Sequence, residues 1–342
     1  MQYRTLGSTG VQVSTLCLGA MNFGALGNVD QETASALVRR SLDAGINFFD
    51  TADVYSAGQS EELLGRALKD VDRDEVVLAT KFGLPVGATN SQGGSRRWIV
   101  HQVEESLRRL GTDRIDLYQM HRPDPRTDID ETLSALTDLQ RAGKILYTGS
   151  STFSAAEIVE AQWAAERRQL TRFVSEQPPY SILNRAIEAD VLPVAVKYGM
   201  GVLTWGPLSG GDLSGKYRPG QAAKASHRDT FMASRGMAAG NSPGAQAKRA
   251  AAEQLFVLAE KYGITIIEMA IAFVINHPAV TAAVIGPRTM EQLESQLTAV
   301  DVTLPGSLLD EIDKIVAPGR TLRPADSNAV KPPALEARNR RR

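Results

Sequence analysis

Eight short apolar runs, each set apart by a longer stretch, constrain this chain more than any other feature. The runs are Leu16 to Ala20, Ile46 to Phe49, Val76 to Ala79, Ile115 to Gln119, Ile145 to Thr148, Phe173 to Ser175, Val202 to Thr204 and Ala282 to Ile285. Helical spacing marks Glu32 to Asp43, Glu61 to Lys69, Arg97 to Leu110, Ile129 to Ala142, Ala155 to Glu166, Arg185 to Tyr198 and Ala245 to Tyr262. Strands apolar on both faces, alternating with amphipathic helices, call for a parallel sheet covered by helices. Val103, Leu107 and Leu110 fall at i, i+4 and i+7, a single apolar helix stripe.

Punctuation supports these limits. Ser154-Ala155-Ala156-Glu157 reads as a capping box, and Gly45, Gly111 and Gly143 stand where helices must stop. Pro278 ends the run Ile267 to His277. Eight strands favour a closed (β/α)8 barrel of the TIM type; the alternative is a doubly wound sheet with a small second domain. Ser8-Thr9-Gly10, between alternating flanks, suggests an N-terminal β-hairpin. Surplus length falls in two loops, 83–96 and 206–244, lids or binding loops by their length. The barrel is expected over residues 1–317, with 318–342 a surface-wrapped or disordered tail.

Composition removes other classes. Lys and Arg total 38 against 39 Asp and Glu, a net charge of −1, which argues against a polyanion-binding protein. Cys17 is the sole cysteine, so neither an intramolecular disulfide nor a cysteine-based zinc site is available. His101, His121, His227 and His277 show no ligand spacing, and no metal is expected. His101 and His277 fall in helical stretches and read as structural. No run reaches the roughly 18 apolar residues of a membrane span, and Met1 to Arg4 opens no secretory signal. A cytoplasmic protein without membrane or nucleic-acid partners is the expectation. Gly199-Met200-Gly201 precedes a strand, the wrong context for a dinucleotide fingerprint. The stretch from Gly210 to Lys216 lacks the hydroxyl residue of a phosphate loop, since Tyr217 follows.

The chemistry collects at one end of the runs. In a (β/α) barrel, catalytic groups stand at the C-terminal ends of strands. There the second run gives Asp50, with Tyr55 five residues on. Lys81 follows the third run and His121 the fourth. The fifth gives Ser150-Ser151-Thr152, the sixth Gln177 and the seventh Trp205. A tyrosine is a poor acid at neutral pH, but a neighbouring ammonium lowers its pKa by roughly 1–3 units. Asp50 would keep Lys81 charged, and His121 would orient a carbonyl oxygen toward the phenol of Tyr55. With no activated nucleophile and no metal, a hydride from a reduced nicotinamide completes the chemistry. Ser151 and Gln177 can bond a carboxamide, and Trp205 can stack on the ring.

These residues sit in segments that resemble the aldo-keto reductase superfamily over about residues 3–317. The matching segments are YRTLGSTGVQVS at the start, GINFFDTADVYSAGQSEELLG at 45–65, ATKFG at 79–83, SLRRLGTDRIDLYQMHRPDP at 106–125, GSSTF at 149–153, EQPPYSILNR at 176–185, TWGPLSGGDLSGKYR at 204–218 and AVIGPRTMEQLESQL at 283–297. The resemblance implies a (β/α)8 barrel that binds NAD(P)H without a Rossmann fold and reduces an aldehyde or ketone to an alcohol. By position, Asp50, Tyr55, Lys81 and His121 match the catalytic tetrad, with Tyr55 the acid. Ser151, Thr152 and Gln177 match carboxamide-binding positions, and Gly19 and Met21 join the cofactor set. Trp205, Gly206, Pro207, Leu208, Ser209, Gly211 and Lys216 would cover the pyrophosphate. Gly286, Pro287 and Arg288 form an anion site at a helix start, and Gln292 and Gln296 match adenine contacts. Arg288, able to grip a 2′-phosphate bidentately, favours NADPH over NADH. Thr152 departs from the usual asparagine, as does Gln296. Phe23 and Phe82 are placed in the substrate pocket together with Tyr55 and His121, with the core as their alternative location.

Two other readings stand beside a general carbonyl reductase. One is a pathway-specific ketoreductase of a sugar or sugar-nucleotide. The other is a cofactor-binding regulatory subunit, since the superfamily also resembles potassium-channel β subunits. The substrate and the oligomeric state do not follow from the residues.

Overall fold

A computed structural model describes residues 1–87, 89–215 and 242–327. All eight runs are strands: β3 (Leu16–Gly19), β4 (Phe48–Asp50), β5 (Val77–Phe82), β6 (Ile115–Met120), β7 (Ile145–Ser150), β8 (Phe173–Glu176), β9 (Gly201–Trp205) and β10 (Ala282–Ile285). They pair in parallel, in chain order, and β10 closes the barrel on β3. The (β/α)8 expectation holds, and the doubly wound alternative does not.

Helices α1 (Gln31–Asp43), α2 (Gln59–Leu68), α3 (Arg96–Leu110), α4 (Ile129–Arg141), α5 (Ala155–Arg168) and α6 (Val191–Lys197) follow successive strands. After β9 come α7 (Pro243–Lys261) and α8 (Ile266–Ile275); after β10 come α9 (Met290–Leu297) and α10 (Gly306–Ile315). The Ser154–Glu157 capping box forms on α5, and Gly111 closes α3 at φ 65°. Helix α8 stops at Ile275; His277 lies just past it, its Nδ1 accepting from the Ala279 amide at 3.2 Å. The stretch Arg185 to Tyr198 is not one helix but a short 3-10 turn, Ala186–Glu188, and α6. The break falls at Asp190, whose backbone leaves the helical region and whose carboxylate accepts from the Val191 amide, with Pro193, which has no amide hydrogen to donate, in the first turn of α6.

Strand alternation divides the core into two layers. Cys17, Phe48, Val77, Ala79, Leu117, Leu203 and Ala282 fill the barrel interior, and Leu6 and Val13 of the N-terminal hairpin join them. That hairpin, β1 (Tyr3–Thr5) and β2 (Gln12–Ser14), plugs one end of the barrel. Between its strands, Gly7 has φ +55°, and a Cβ there would meet the Gly201 amide nitrogen at 2.7 Å. Only glycine meets both demands. The larger apolar layer lies between barrel and helices, with Leu78, Phe82, Tyr118, Val103 and Leu110 among its members. With one end plugged, polar side chains can gather at the other.

The 83–96 loop turns back on itself, the Gly93 amide donating to the Gly83 carbonyl at 2.8 Å. Of the 206–244 loop, the described part holds a 3-10 turn, Ser209–Gly211, and the start of α7, two residues earlier than expected. Residues 318–327 lie against the segment after β8, where the Arg185 amide donates to the Arg320 carbonyl, and against α7, where Lys248 Nζ reaches Asp326 at 2.6 Å.

Candidate active site

Asp50, Lys81 and His121 reach the unplugged end by strand register. Lys81 shares the inward phase of Val77 and Ala79, and its register partner on β6 is Gln119. Asp50 ends β4, and His121 follows β6 directly. Tyr55 opens a 3-10 turn, Tyr55–Gly58, after β4. That turn holds Ser56 and Ala57 at φ 51° and 55°, a left-handed backbone that non-glycine residues rarely adopt.

Asp50 is the hub. Its Oδ2 accepts from Lys81 Nζ at 2.5 Å, and its Oδ1 accepts from the side-chain amides of Gln119 at 3.0 Å and Gln177 at 2.9 Å. Lys81 also donates to the Thr51 carbonyl at 2.9 Å, and its ammonium stands 5.2 Å from the centre of the Tyr55 ring. The Tyr55 and His121 rings meet edge to face, 5.6 Å apart at 86°. Asp50, Tyr55, Lys81, His121 and Gln177 therefore form one cluster.

Burial disfavours charge on Lys81, yet Asp50 and Tyr55 outweigh it and lift the ammonium above its usual value. Burial, reinforced by Lys81 and Arg122, holds His121 well below 6.5, so the ring is neutral at pH 7. Tyr55 overturns an expectation. Its pKa lies above 10, not below, because burial outweighs the pull of Lys81, and Asp50 adds to the rise.

Around the cluster, Ser151 donates to the Gln177 carbonyl at 2.9 Å. Thr152 has φ 59°, and its hydroxyl is buried with no hydrogen-bond partner among the described residues. Gly19 ends β3, Met21 is 38% exposed near it, and half-buried Trp205 ends β9, with Gly206 and Leu208, also half-buried, after it. Pro207 is buried, while Ser209 and Gly211 take left-handed backbone in the turn. Lys216 lies outside the described residues. Gly286, Pro287 and Arg288 link β10 to α9, where the Arg288 amide donates to Gln292 Oε1 at 2.9 Å. Gln296 is buried on α9. Phe23 and Phe82 take the core alternative: both are fully buried in the outer layer, the Phe82 ring centre 4.7 Å from that of Tyr118. Since Lys81 points into the barrel, alternation turns Phe82 outward to the helices.

Over residues 15–317 the chain matches the model of the Aldo/keto reductase family. The chain belongs to the aldo/keto reductase family. An uncharacterized oxidoreductase of Bacillus subtilis, YrpG, is 40% identical, over 92% of this chain and 96% of that protein. A probable voltage-gated potassium channel subunit beta of Arabidopsis thaliana is 34% identical, over 92% and 97%. A putative subunit of the same kind from Schizosaccharomyces pombe is 35% identical, over 92% and 93%. Members of the family typically use nicotinamide cofactors. No helix among the described residues of this aldo/keto reductase is long and apolar enough to cross a membrane.

Four residues here escaped the sequence reading. Gln119 lies two residues before His121, so alternation alone could have turned it inward. Arg122 directly follows His121 and donates to the His121 carbonyl at 2.5 Å and to Ser151 Oγ at 3.4 Å. Glu176, fully buried, accepts from Ser150 Oγ at 2.5 Å and from the Phe153 amide at 3.1 Å. Burial lifts its pKa to about 7 against these hydrogen bonds. Asp53 is buried with neither carboxylate oxygen partnered among the described residues, and burial with Glu61 beside it pushes its pKa well up. For Glu176 and Asp53 no sequence signal distinguishes a buried acid from a surface one.

Proposed function

We propose that this protein is an NAD(P)H-dependent oxidoreductase that reduces an aldehyde or ketone to an alcohol, with Tyr55 as the proton donor. The observation that carries the reading is the cluster of Asp50, Lys81, Tyr55 and His121 at the open end of the barrel. Tyr55 is a protonated phenol at neutral pH, as a donor must be. Lys81, fixed by Asp50 and the Thr51 carbonyl, offsets the negative charge that develops as the proton leaves. Neutral His121 can hold the substrate oxygen against Tyr55 without competing as an acid.

The residues fit a dinucleotide. At one end, Ser151 and Gln177 adjoin the unpartnered hydroxyl of Thr152, where a carboxamide finds donors and acceptors. At the other, Arg288 is half-buried in the link to α9, suited to a phosphate. When bound, the nicotinamide supplies the hydride that the carbonyl carbon accepts. NADPH is the preferred cofactor in this reading.

Tyr55→Phe tests it: reduction of a reactive aromatic aldehyde should fall by a factor on the order of 10² or more, with cofactor binding by fluorescence little altered. Full activity in that variant would sink the mechanism. Arg288→Ala should weaken NADPH much more than NADH; equal weakening refutes a 2′-phosphate contact.

The relatives named as potassium channel β subunits favour a second reading, a cofactor-binding regulatory subunit. It predicts tight NADPH retention and very slow turnover on every carbonyl tried. Rapid turnover on any one of them eliminates it.

A further inference from the structure

Arg122 is a cation at the open end of the barrel whose hydrogen bonds, among the described residues, go only to neutral acceptors, the His121 carbonyl and Ser151 Oγ. Three other arginines withdrawn from water in this fold meet an acid, whereas half-buried Arg4, in the hairpin at the plugged end, donates to the Val280 carbonyl. Arg73 pairs with Asp116, Arg109 with Glu61 and Arg185 with Glu188 and Asp313, each at 2.6–2.8 Å. Arg122 is half-buried and forms no ion pair with any described carboxylate. Glu176 acts on it electrostatically, but that carboxylate is already bound by Ser150 and the Phe153 amide. Asp50, the other acid of the site, is taken by Lys81, Gln119 and Gln177.

The region around Tyr55 thus carries two cations, Lys81 and Arg122, while Asp50 is matched to the first. Removing a guanidinium from water without a directly paired counter-charge is costly, and the oxygens of a carboxylate or a phosphate match its forked N–H groups bidentately. Arg122 also lies next to His121, whose ring faces Tyr55, and it acts electrostatically on Tyr55, so an anion bound there shares the site of the reacting group.

We propose that Arg122 anchors an acidic group of the substrate, so that this site takes carbonyl compounds that also bear a carboxylate or a phosphate. The inference rests on the reductase reading above. The acidic group is unchanged by the reaction: hydride goes to the carbonyl carbon, the proton of Tyr55 to its oxygen, and the anion only orients the molecule.

The test uses the full-length protein with NADPH and matched aldehydes: 4-carboxybenzaldehyde against methyl 4-formylbenzoate, and 4-formylphenyl phosphate as a third arm. The wild type should show a KM about tenfold or more lower for an acid than for the ester, the size of one charge-assisted contact. Arg122→Met should erase that ratio, and Arg122→Lys should keep part of it as a point charge. Of the two acids, the one with the lower KM identifies the group. Equal KM values for acid and ester in the wild type, or an unchanged ratio in Arg122→Met, overturn the proposal. So does an Arg122→Met protein that weakens NADPH and all three aldehydes alike, which would place Arg122 on the cofactor. Absence of any turnover would refute the reductase reading instead; calorimetric binding of 4-carboxybenzaldehyde to wild type and Arg122→Lys then still decides the role of Arg122.

Discussion

Gln177 donates its side-chain amide to Asp50 at 2.9 Å across 127 positions of chain. The bond joins strand ends on opposite arcs of the barrel and, with Gln119, leaves Asp50 fully engaged around Lys81. The acid of the cluster is a rigid strut, held from three strands.

Asp50→Asn should therefore be costly. It strands the Lys81 ammonium, which is 1% exposed, without its counter-charge. Breaking a buried pair from one side costs roughly 3–5 kcal/mol, read as a drop in urea stability at pH 7. Lys81 has a raised folded pKa, so the pair stabilises fully below the unfolded value of 10.5 and fades only at more alkaline pH. Asp50→Asn with Lys81→Met should lose less than the two single losses added; strict additivity would show that the groups do not act as a pair.

His121 should leave no break near pH 6.5 in the profile of kcat/KM. Its folded pKa lies well below that value, so the ring is already neutral through the working range. An acidic limb near 6.5 that disappears in His121→Asn would contradict a neutral, buried imidazole.

Glu176 should make stability fall as pH rises toward neutrality. Its pKa climbs from 4.5 to about 7 on folding. A raised carboxyl favours the fold below its unfolded pKa, and that contribution is lost as pH passes through 7. The difference is on the order of 3 kcal/mol. Glu176→Gln should flatten the slope between pH 5 and 8 in chemical denaturation. A slope identical to that of wild type would mean the carboxyl titrates normally.

Thr152→Asn should stabilise. At φ 59° a β-branched residue is strained, whereas asparagine tolerates the left-handed region. A gain of roughly 1 kcal/mol is expected from relief of that strain, measured by thermal unfolding. A loss of stability would show that the Thr152 methyl group packs more usefully than its backbone suffers.

Most of the architecture was legible because barrel strands are apolar on both faces, so each announces itself without reference to its neighbours. Asp50, Lys81, His121 and Gln177 were legible for a related reason: they stand where those runs end. Of the two locations open to Phe82 the core is the one it takes, because neighbours in a strand point to opposite faces and Lys81 points inward. Arg122 went unread because an arginine beside a histidine looks like any surface cation until its surroundings are known. Nor does any local pattern report that the residue after left-handed Thr152, Phe153, donates its amide to Glu176, 23 residues on along the chain.

By itself, the sequence determined the eight strands, their order, and which positions turn inward, since periodicity is local and side-chain direction follows from it. Tertiary structure decided the charge states. Whether Tyr55 lies above or below its usual pKa depends on a sum of opposing influences: burial raises it, Lys81 and Arg122 lower it, and Asp50 raises it again. Those groups come from different strands, and the largest influence, the loss of water, exists only once the barrel has closed.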